Sequence, residues 1–155
     1  MPKVISTRPL SHNDLSSIVD IDEKNSGVRR KAFWDGKIQI QESSRPPWTS
    51  LVAATNNEVV GFIFGHYEEL EFGLPGTIAW VDIMGVDPGY QRLGVASKLM
   101  EHFTSSAEDV GIARIFTLVS GTDREIEQLL LSQGFSDGKM KHYRKELKGT
   151  GHPRK

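Results

Sequence analysis

The chain has 155 residues, and its 19 lysines and arginines nearly balance 20 aspartates and glutamates, which leaves a net charge of −1. Balanced charge argues against a dedicated nucleic-acid-binding protein. The absence of cysteine excludes a disulfide scaffold, a zinc ribbon and a thiol nucleophile. The histidines lack the spacing of a metal site, and no apolar run reaches the length of a membrane span or a signal peptide. We therefore expect a cytoplasmic protein of one domain, residues 1–155, with a frayed basic tail over 148–155.

Hydrophobic periods of 2 and 3.6 alternate along the chain, which predicts a mixed α/β (α+β) fold. In the first half, the capping-box pair Ser11 and Asp14 marks the start of a helix, and Pro46-Pro47 marks a loop. Two apolar runs joined by an Asn-rich four-residue turn predict a β-hairpin. The predicted elements are a strand over 4–8, a helix ending near Gly27, a helix over 28–42, a loop over 43–47 and hairpin strands over 51–54 and 59–67.

The second half begins with a strand that is apolar on both faces and therefore central to the sheet. It is followed by the clearest amphipathic helix of the chain, which Gly111 ends. The predicted elements are the strand over 77–86, a break at 87–89, the helix over 94–110, a strand over 113–119, a helix over 123–133, and one or two strands formed by Phe135 and 140–147.

The stretch between the central strand and its following helix has the chemistry of an anion site. It reads VDPGYQRLGVAS over 86–97. Unpaired backbone N–H groups and the positive end of the helix dipole meet at such a turn, where phosphate oxygens bind. Gly94 permits close approach to the backbone, and Arg92 adds a positive charge. P-loop and dinucleotide-binding patterns are absent, and a turn that serves packing alone is the other interpretation.

The segment Gln91-x-x-Gly94-x-Ala96 resembles the Q/R-x-x-G-x-G/A signature of the GNAT superfamily of N-acetyltransferases. The Val-Asp-Pro end of the preceding strand and the order of elements over 3–147 are also similar to that family. The resemblance implies a mixed, mostly antiparallel central sheet with helices on both faces. It also implies a splayed pair of parallel strands that forms an acetyl-CoA cleft, and a reaction that needs no metal.

The resemblance further implies which residues bind acetyl-CoA, the cosubstrate. The pyrophosphate is expected on the turn and the helix start, and the pantetheine arm along the backbone of the central strand. Asp123 stands where many members have an asparagine that contacts CoA. We expect Gly85 to mark a bulge that splays the central strand from the 113–119 strand, with tight packing as the alternative. The implied binding residues are Met84, Gly85, Val86, Gln91, Arg92, Leu93, Gly94, Val95, Ala96, Ser97 and Asp123.

The implied reaction is direct acetyl transfer to a primary amine of a small molecule, peptide or protein, and the amine must first lose a proton. By strand alternation Trp80, Asp82, Met84 and Val86 share one face. Relatives with an acidic residue at the position of Asp82 use it to relay this proton, so Asp82 is the predicted base. The backbone N–H of Val86 is predicted to stabilise the oxyanion. Alternative bases acting through water are His66, Glu68, Glu69 and Glu71.

One departure from the family concerns the leaving group. Leu130 stands where members often have a tyrosine that protonates the CoA thiolate. Tyr143, on the predicted final strand, is the candidate substitute, with packing of Tyr143 or thiolate release to water as alternatives. The missing tyrosine leaves a non-catalytic CoA or acyl-CoA sensor as an alternative function, and a nucleotide-binding domain as a third. Expected partners are acetyl-CoA and an amine, without nucleic acid or membrane, in a monomer or homodimer.

Overall fold

The computed structural model describes residues 4–69 and 76–149 and contains five strands and four helices in this part of the chain. The strands are β1 (Ser6–Pro9), β2 (Ser50–Thr55), β3 (Glu58–Glu69), β4 (Thr77–Val86) and β5 (Arg114–Thr117). The helices are α1 (Leu15–Ser26), α2 (Lys31–Ser44), α3 (Val95–Asp109) and α4 (Arg124–Ser132). None of the helices in these residues combines the length and apolar character of a membrane span.

The strands form one sheet in the order β1-β2-β3-β4-β5. The first three pairings are antiparallel and join neighbours in sequence. β4 and β5 are parallel, and their pairing is short, from Ile78 opposite Arg114 to Val81 opposite Thr117. The predicted mixed, mostly antiparallel sheet with a parallel strand pair is confirmed.

Two apolar layers cover the two faces of the sheet, because successive side chains of a strand point to opposite faces. On β2, Val52 packs with α1 and α2, whereas Leu51 and Ala53 pack with α3. Trp34 fills the centre of the first layer and Phe103 that of the second, and both are fully buried. Helices therefore lie on both faces, as predicted.

The first two loops differ from the prediction in ways that follow from local chemistry. The hairpin turn contains two residues instead of four, Asn56 and Asn57, with φ of 52° and 62°. Asparagine tolerates this left-handed backbone, and a two-residue turn with two positive φ angles matches the twist of paired strands. Helix α2 continues to Ser44, and the next residue, Arg45, has an extended backbone because a proline follows it.

The predicted final strands are wrong, since no strand follows α4 in the residues described up to 149. Phe135 packs against the α3 layer, but Met140, Tyr143 and Leu147 are exposed. These three residues are spaced by three and four positions, which does not give a strand one apolar face. The predicted frayed tail at 148–155 lies mostly outside the described residues.

The register between β3 and β4 shifts at one position. Phe64 lies opposite Ile83, but Gly65 lies opposite Val81, so Asp82 is an extra residue that forms a β-bulge. Gly85 pairs in regular register with Phe62. A Cβ at Gly85 would lie 2.6 Å from the Phe62 ring. The expected bulge at Gly85 is therefore wrong, and tight packing explains this glycine.

The bulge also changes which side chains of β4 share a face. Val81 and Met84 both pack with the α3 layer, although three positions separate them, whereas Ile83 packs with the α1 and α2 layer. Asp82 contacts His66 of β3. The expectation that Asp82 shares a face with Met84 and Val86 is wrong, because the extra residue moves the alternation by one position.

The packing at Gly85 predicts the effect of adding a single methyl group. We expect Gly85→Ala to lower the free energy of unfolding by about 1–3 kcal/mol, because the buried Phe62 ring must move. Gly36→Ala is the matched control: Gly36 lies inside α2 with nothing within 4 Å of its Cβ position. This control should raise the free energy of unfolding by about 0.5–1 kcal/mol through helix propensity. Urea unfolding measures both, and equal stability of Gly85→Ala and wild type would contradict the packing.

Candidate active site

A cleft opens where β4 and β5 separate. The last paired residues are Val81 and Thr117, and the Thr117 hydroxyl donates a hydrogen bond of 3.0 Å to the Val81 carbonyl. The bulge residue Asp82 follows immediately, so the strands diverge at the bulge. The resulting cleft has a volume of about 340 Å³. Its lining consists of 81–84 from β4, 117–120 from the end of β5 and the loop after it, Met100 of α3, and Asp123, Ile126 and Leu130 from the α4 region.

The backbone of β4 beyond the bulge faces this cleft. The Asp87 N–H donates to the Val60 carbonyl at 2.8 Å, which makes this cross-strand pair hydrogen-bonded. In an antiparallel ladder alternate residues point their N–H and C=O groups away from the partner strand. Met84 and Val86 therefore direct their backbone groups toward the cleft. The Asn25 side chain donates to the Val86 carbonyl at 3.0 Å, and the Val86 N–H lies at the same edge.

Asp87 fixes the turn that follows β4. Its buried carboxylate accepts the Gly89 N–H at 2.8 Å and the Lys24 ammonium at 2.9 Å. Burial alone would raise the pKa of Asp87, but the Lys24 and Gly89 donors outweigh it and hold the pKa below its usual value. The chain therefore enters the next turn from an anchored position.

The turn then presents an open helix N-terminus. Arg92 and Gly94 have φ of 63° and 86°, and nothing lies within 4 Å of the Cβ position of Gly94. No side chain in the described part of the chain caps α3. The first backbone N–H groups of a helix lack intrahelical acceptors, so those of Val95, Ala96 and Ser97 point out of the helix end. Gln91 and Leu93 lie exposed in the same turn.

Two side chains, Arg92 and Asp123, lie at the starts of α3 and α4. Arg92 donates to Glu125 of α4 at 2.9 Å, and both side chains are exposed. An exposed pair of this kind is weak, so Arg92 remains available for another anion. The Asp123 carboxylate caps α4 by accepting the Ile126 N–H at 3.2 Å. Asp123 thus lines the cleft while it stabilises the helix start.

Asp82 and His66 form a hydrogen-bonded pair at the bulge. The Asp82 Oδ2 atom lies 2.8 Å from Nδ1 of His66, and each side chain keeps about a quarter of its surface exposed, 25% and 24%. Glu68 Oε1 lies 3.5 Å from the other ring nitrogen, Nε2. Arg45 Nη1 lies 3.6 Å from Asp82 Oδ2. An ionised carboxylate only accepts hydrogen bonds, so this geometry favours the His66 tautomer with its proton on Nδ1.

The candidate for protonating the CoA thiolate, Tyr143, does not lie in the cleft. Tyr143 has 85% of its surface exposed and is not among the described residues that line the cleft. Leu130 does line the cleft and is buried. Glu71 and the side chain of Glu69 lie outside the described residues.

Sequence reasoning missed several polar residues that build the site. Lys24 and Asn25, in the last turn of α1, hold Asp87 and the Val86 carbonyl. Gln41 and Arg45 of α2 contact the Gly65 carbonyl beside the bulge. Only Arg45 carried a local signal, because its position before Pro46 forces it out of the helix.

Comparison with known proteins gives one family and many similar folds. The Acetyltransferase (GNAT) family model matches residues 15–135, which is more than half of the chain. No curated protein sequence matches the chain.

Three solved structures illustrate the similarity of fold. A transcriptional regulator from Bacillus halodurans C-125 has a TM-score of 0.79 at 12% identity, covering 93% of this chain and 100% of its own. An aminoglycoside N-acetyltransferase in complex with CoA has a TM-score of 0.76 at 14% identity, covering 95% and 98%. A ribosomal-protein-alanine N-acetyltransferase from Brucella melitensis biovar Abortus 2308 has a TM-score of 0.74 at 14% identity, covering 93% and 100%. With the family match over most of its length, and with the parallel strand pair and helix start described above, the chain belongs to the GNAT family of acetyltransferases.

Proposed function

We propose that this chain is an acetyl-CoA-dependent N-acetyltransferase, formed by residues 1–155 as one domain, that transfers acetyl directly to a primary amine. The observation that carries the proposal is the course of β4. Its residues 81–84 line the cleft beside the Asp82–His66 pair, and the strand continues to Val86 and the turn before the uncapped start of α3. The proposed site of the amine and the proposed site of the phosphates thus lie along one strand. This arrangement suits a long acyl carrier with a phosphate at its far end.

The turn and the start of α3 fit a pyrophosphate. Gly94 leaves its Cβ position empty, and the N–H groups of Val95, Ala96 and Ser97 lie beside it. Arg92 can exchange Glu125 for a phosphate oxygen, since both side chains are exposed. Beyond the bulge, the backbone groups of Met84 and the carbonyl of Val86 fit the amide groups of a pantetheine arm, with Gly85 between them. Asp123 borders the same cleft.

The Asp82–His66 pair is the proposed proton acceptor for the amine. At neutral pH an alkylamine is mostly protonated, and it attacks a thioester carbon only after it loses that proton. Asp82 accepts the Nδ1 proton of His66, which leaves the Nε2 lone pair as a base. The proton moves either to this nitrogen or through water to the Asp82 carboxylate.

Two further requirements of the reaction are a hydrogen-bond donor for the oxyanion that forms on the acetyl carbonyl and a source of a proton for the CoA thiolate. The Val86 N–H faces the cleft and is the proposed donor. Leu130 offers no proton, and Tyr143 is too exposed to be assigned this role. We therefore propose that the CoA thiolate leaves as the anion and takes its proton from water.

Two experiments test the function as a whole. The first measures CoA binding by calorimetry with the purified full-length chain. The second measures CoA release from acetyl-CoA in the presence of amines, including aminoglycosides, polyamines and peptides with a free N-terminus. Binding together with amine-dependent release supports an enzyme. Binding without release across the whole panel would indicate a CoA sensor, and stabilisation by ATP or NAD but not by CoA would indicate a nucleotide-binding domain.

The proposed anion site predicts that substitutions at the two glycines flanking α3 differ in their effect on CoA binding. Gly94 and Gly111 flank the helix, have φ of 86° and 83°, and have nothing within 4 Å of their Cβ positions. We expect Gly94→Glu and Gly111→Glu each to cost about 1–2 kcal/mol of stability from the left-handed backbone. Only Gly94→Glu should abolish the rise in Tm caused by CoA, because it places a carboxylate where the pyrophosphate binds. An undiminished rise in Gly94→Glu would remove the anion site from this turn.

The proton acceptor predicts a large kinetic effect at Asp82. Asp82→Asn keeps the size of the side chain but removes the anion, so kcat should fall by about 10²–10⁴. The affinity for CoA should stay within twofold, because the α3 start is untouched. Asp109→Asn, at the exposed end of α3, is the control and should behave as wild type. The pH dependence of kcat/KM should lose or shift its acidic limb in Asp82→Asn. A small loss with this limb intact would transfer the role to Glu68, Glu69, Glu71 or His66 acting without Asp82.

A further inference from the structure

We propose that Arg45 is a positioning residue for the Asp82–His66 pair, which holds the Asp82 carboxylate on Nδ1 of His66 and so fixes the ring tautomer. This inference rests on the proposed function, in which that pair accepts the proton of the amine. Arg45 itself is not among the described residues that line the cleft, and its contact with that lining is through Asp82. Its effect is exerted through Asp82.

The sequence places Arg45 by a backbone constraint. Arg45 precedes Pro46, and the proline ring disfavours helical backbone at the preceding residue. Arg45 has φ of −128° and ψ of 148°, so α2 ends at Ser44. The chain turns away from the helix axis at this residue, and the Arg45 side chain reaches the sheet beside the bulge.

Two contacts hold the guanidinium of Arg45. Its Nη1 donates to Gln41 Oε1 at 2.8 Å and to the Gly65 carbonyl at 3.4 Å. Gln41, buried one turn earlier in α2, donates from Nε2 to the same carbonyl at 3.2 Å. Gly65 is the residue where the register of β3 shifts, and His66 follows it directly. The Arg45 head group is therefore fixed relative to the histidine that it influences.

The guanidinium of Arg45 lies near the Asp82 oxygen that contacts His66. Nη1 lies 3.6 Å from Oδ2, the same oxygen that lies 2.8 Å from His66 Nδ1. The distance of 3.6 Å is too long for a strong hydrogen bond, so the contact acts mainly through charge. A guanidinium is permanently protonated and favours the ionised carboxylate, which can only accept the Nδ1 proton.

The charged groups around the His66 ring explain why the positive charge of Arg45 affects it. Among the described residues, Glu68 of β3 and Arg45 at the end of α2 place charged groups within 4 Å of the His66–Asp82 pair. Without Arg45, His66 would lie between two carboxylates with no nearby cation among these groups. Among these groups, Arg45 is therefore the one that offsets the two carboxylates beside the ring.

The tautomer of His66 provides a direct test that requires neither CoA nor an amine. Nitrogen-15 NMR of the histidine rings distinguishes Nδ1–H from Nε2–H, and His66→Gln assigns the signal. We expect wild type to show mainly Nδ1–H at His66, and Asp82→Asn to lose this preference. Arg45→Gln should lose most of it, whereas Arg45→Lys, which keeps the charge, should recover part. Arg29→Gln removes an exposed arginine paired with Asp20 and Glu23 and should change nothing.

Kinetics provide the second readout once an acceptor is known. Arg45→Gln should lower kcat about 10-fold, as expected when an orienting partner is removed, with KM for acetyl-CoA within twofold. The acidic limb of its kcat/KM profile should move to higher pH, because a nearby positive charge is lost. Gln41→Met, which frees Arg45 but keeps its charge, is the second variant if Arg45→Gln does not fold, and should also weaken the Nδ1–H preference.

The outcomes separate this inference from the proposed function. An unchanged His66 tautomer in both Arg45→Gln and Gln41→Met would overturn the role of Arg45, even if the enzyme acetylates amines normally. A changed tautomer in a protein that binds no CoA would uphold the role of Arg45 in orienting His66 and overturn the proposed function. A tautomer change in Arg29→Gln as well would show a general charge effect and would also overturn the role of Arg45.

Discussion

Asp82 has no partner residue in β3, and this one extra position changes how β4 relates to both of its neighbours. Before it, β4 pairs with β5 through Val81; after it, the two strands separate and the cleft begins. The same residue reverses the alternation of side chains along β4. A strand that is buried between two helical layers thereby places a carboxylate on one face and Met84 on the other. Without the bulge, the alternation would keep these two side chains on one face.

The rest of the site depends on polar side chains that hold two places in the sheet. One place is beside the bulge, and the other is the end of β4. At the bulge, Gln41 and Arg45 donate to the Gly65 carbonyl. At the end of β4, Asn25 donates to the Val86 carbonyl, and Lys24 pairs with Asp87. All four side chains come from α1 and α2 on one face of the sheet. The helices of that face therefore have a second function besides core packing, because they hold the backbone of β3 beside the bulge and the end of β4.

The proposed anion site at α3 depends on what the helix lacks. A helix start normally receives a side-chain cap, since its first N–H groups have no acceptors. Here glycine occupies the cap position, and its left-handed backbone turns the chain without filling the space beside it. The contrast with α4 is direct, because Asp123 caps that helix with its own carboxylate. The starts of α3 and α4 thus differ in whether a side chain of the protein accepts one of their first N–H groups.

The sequence by itself determined the elements whose signals are local. Apolar period and turn residues located the five strands and four helices of the described residues to within a few positions. The Gln91–Ala96 segment identified the family that the family match then confirmed. It failed where apolar residues lacked a strand period, at Met140, Tyr143 and Leu147. Tertiary structure alone decided the position of the bulge, because a register shift depends on how two strands meet and not on either strand alone. For the same reason the partnership of His66, Asp82 and Arg45 was not predictable: these residues lie on three elements, and only the packed sheet brings their polar atoms within 4 Å.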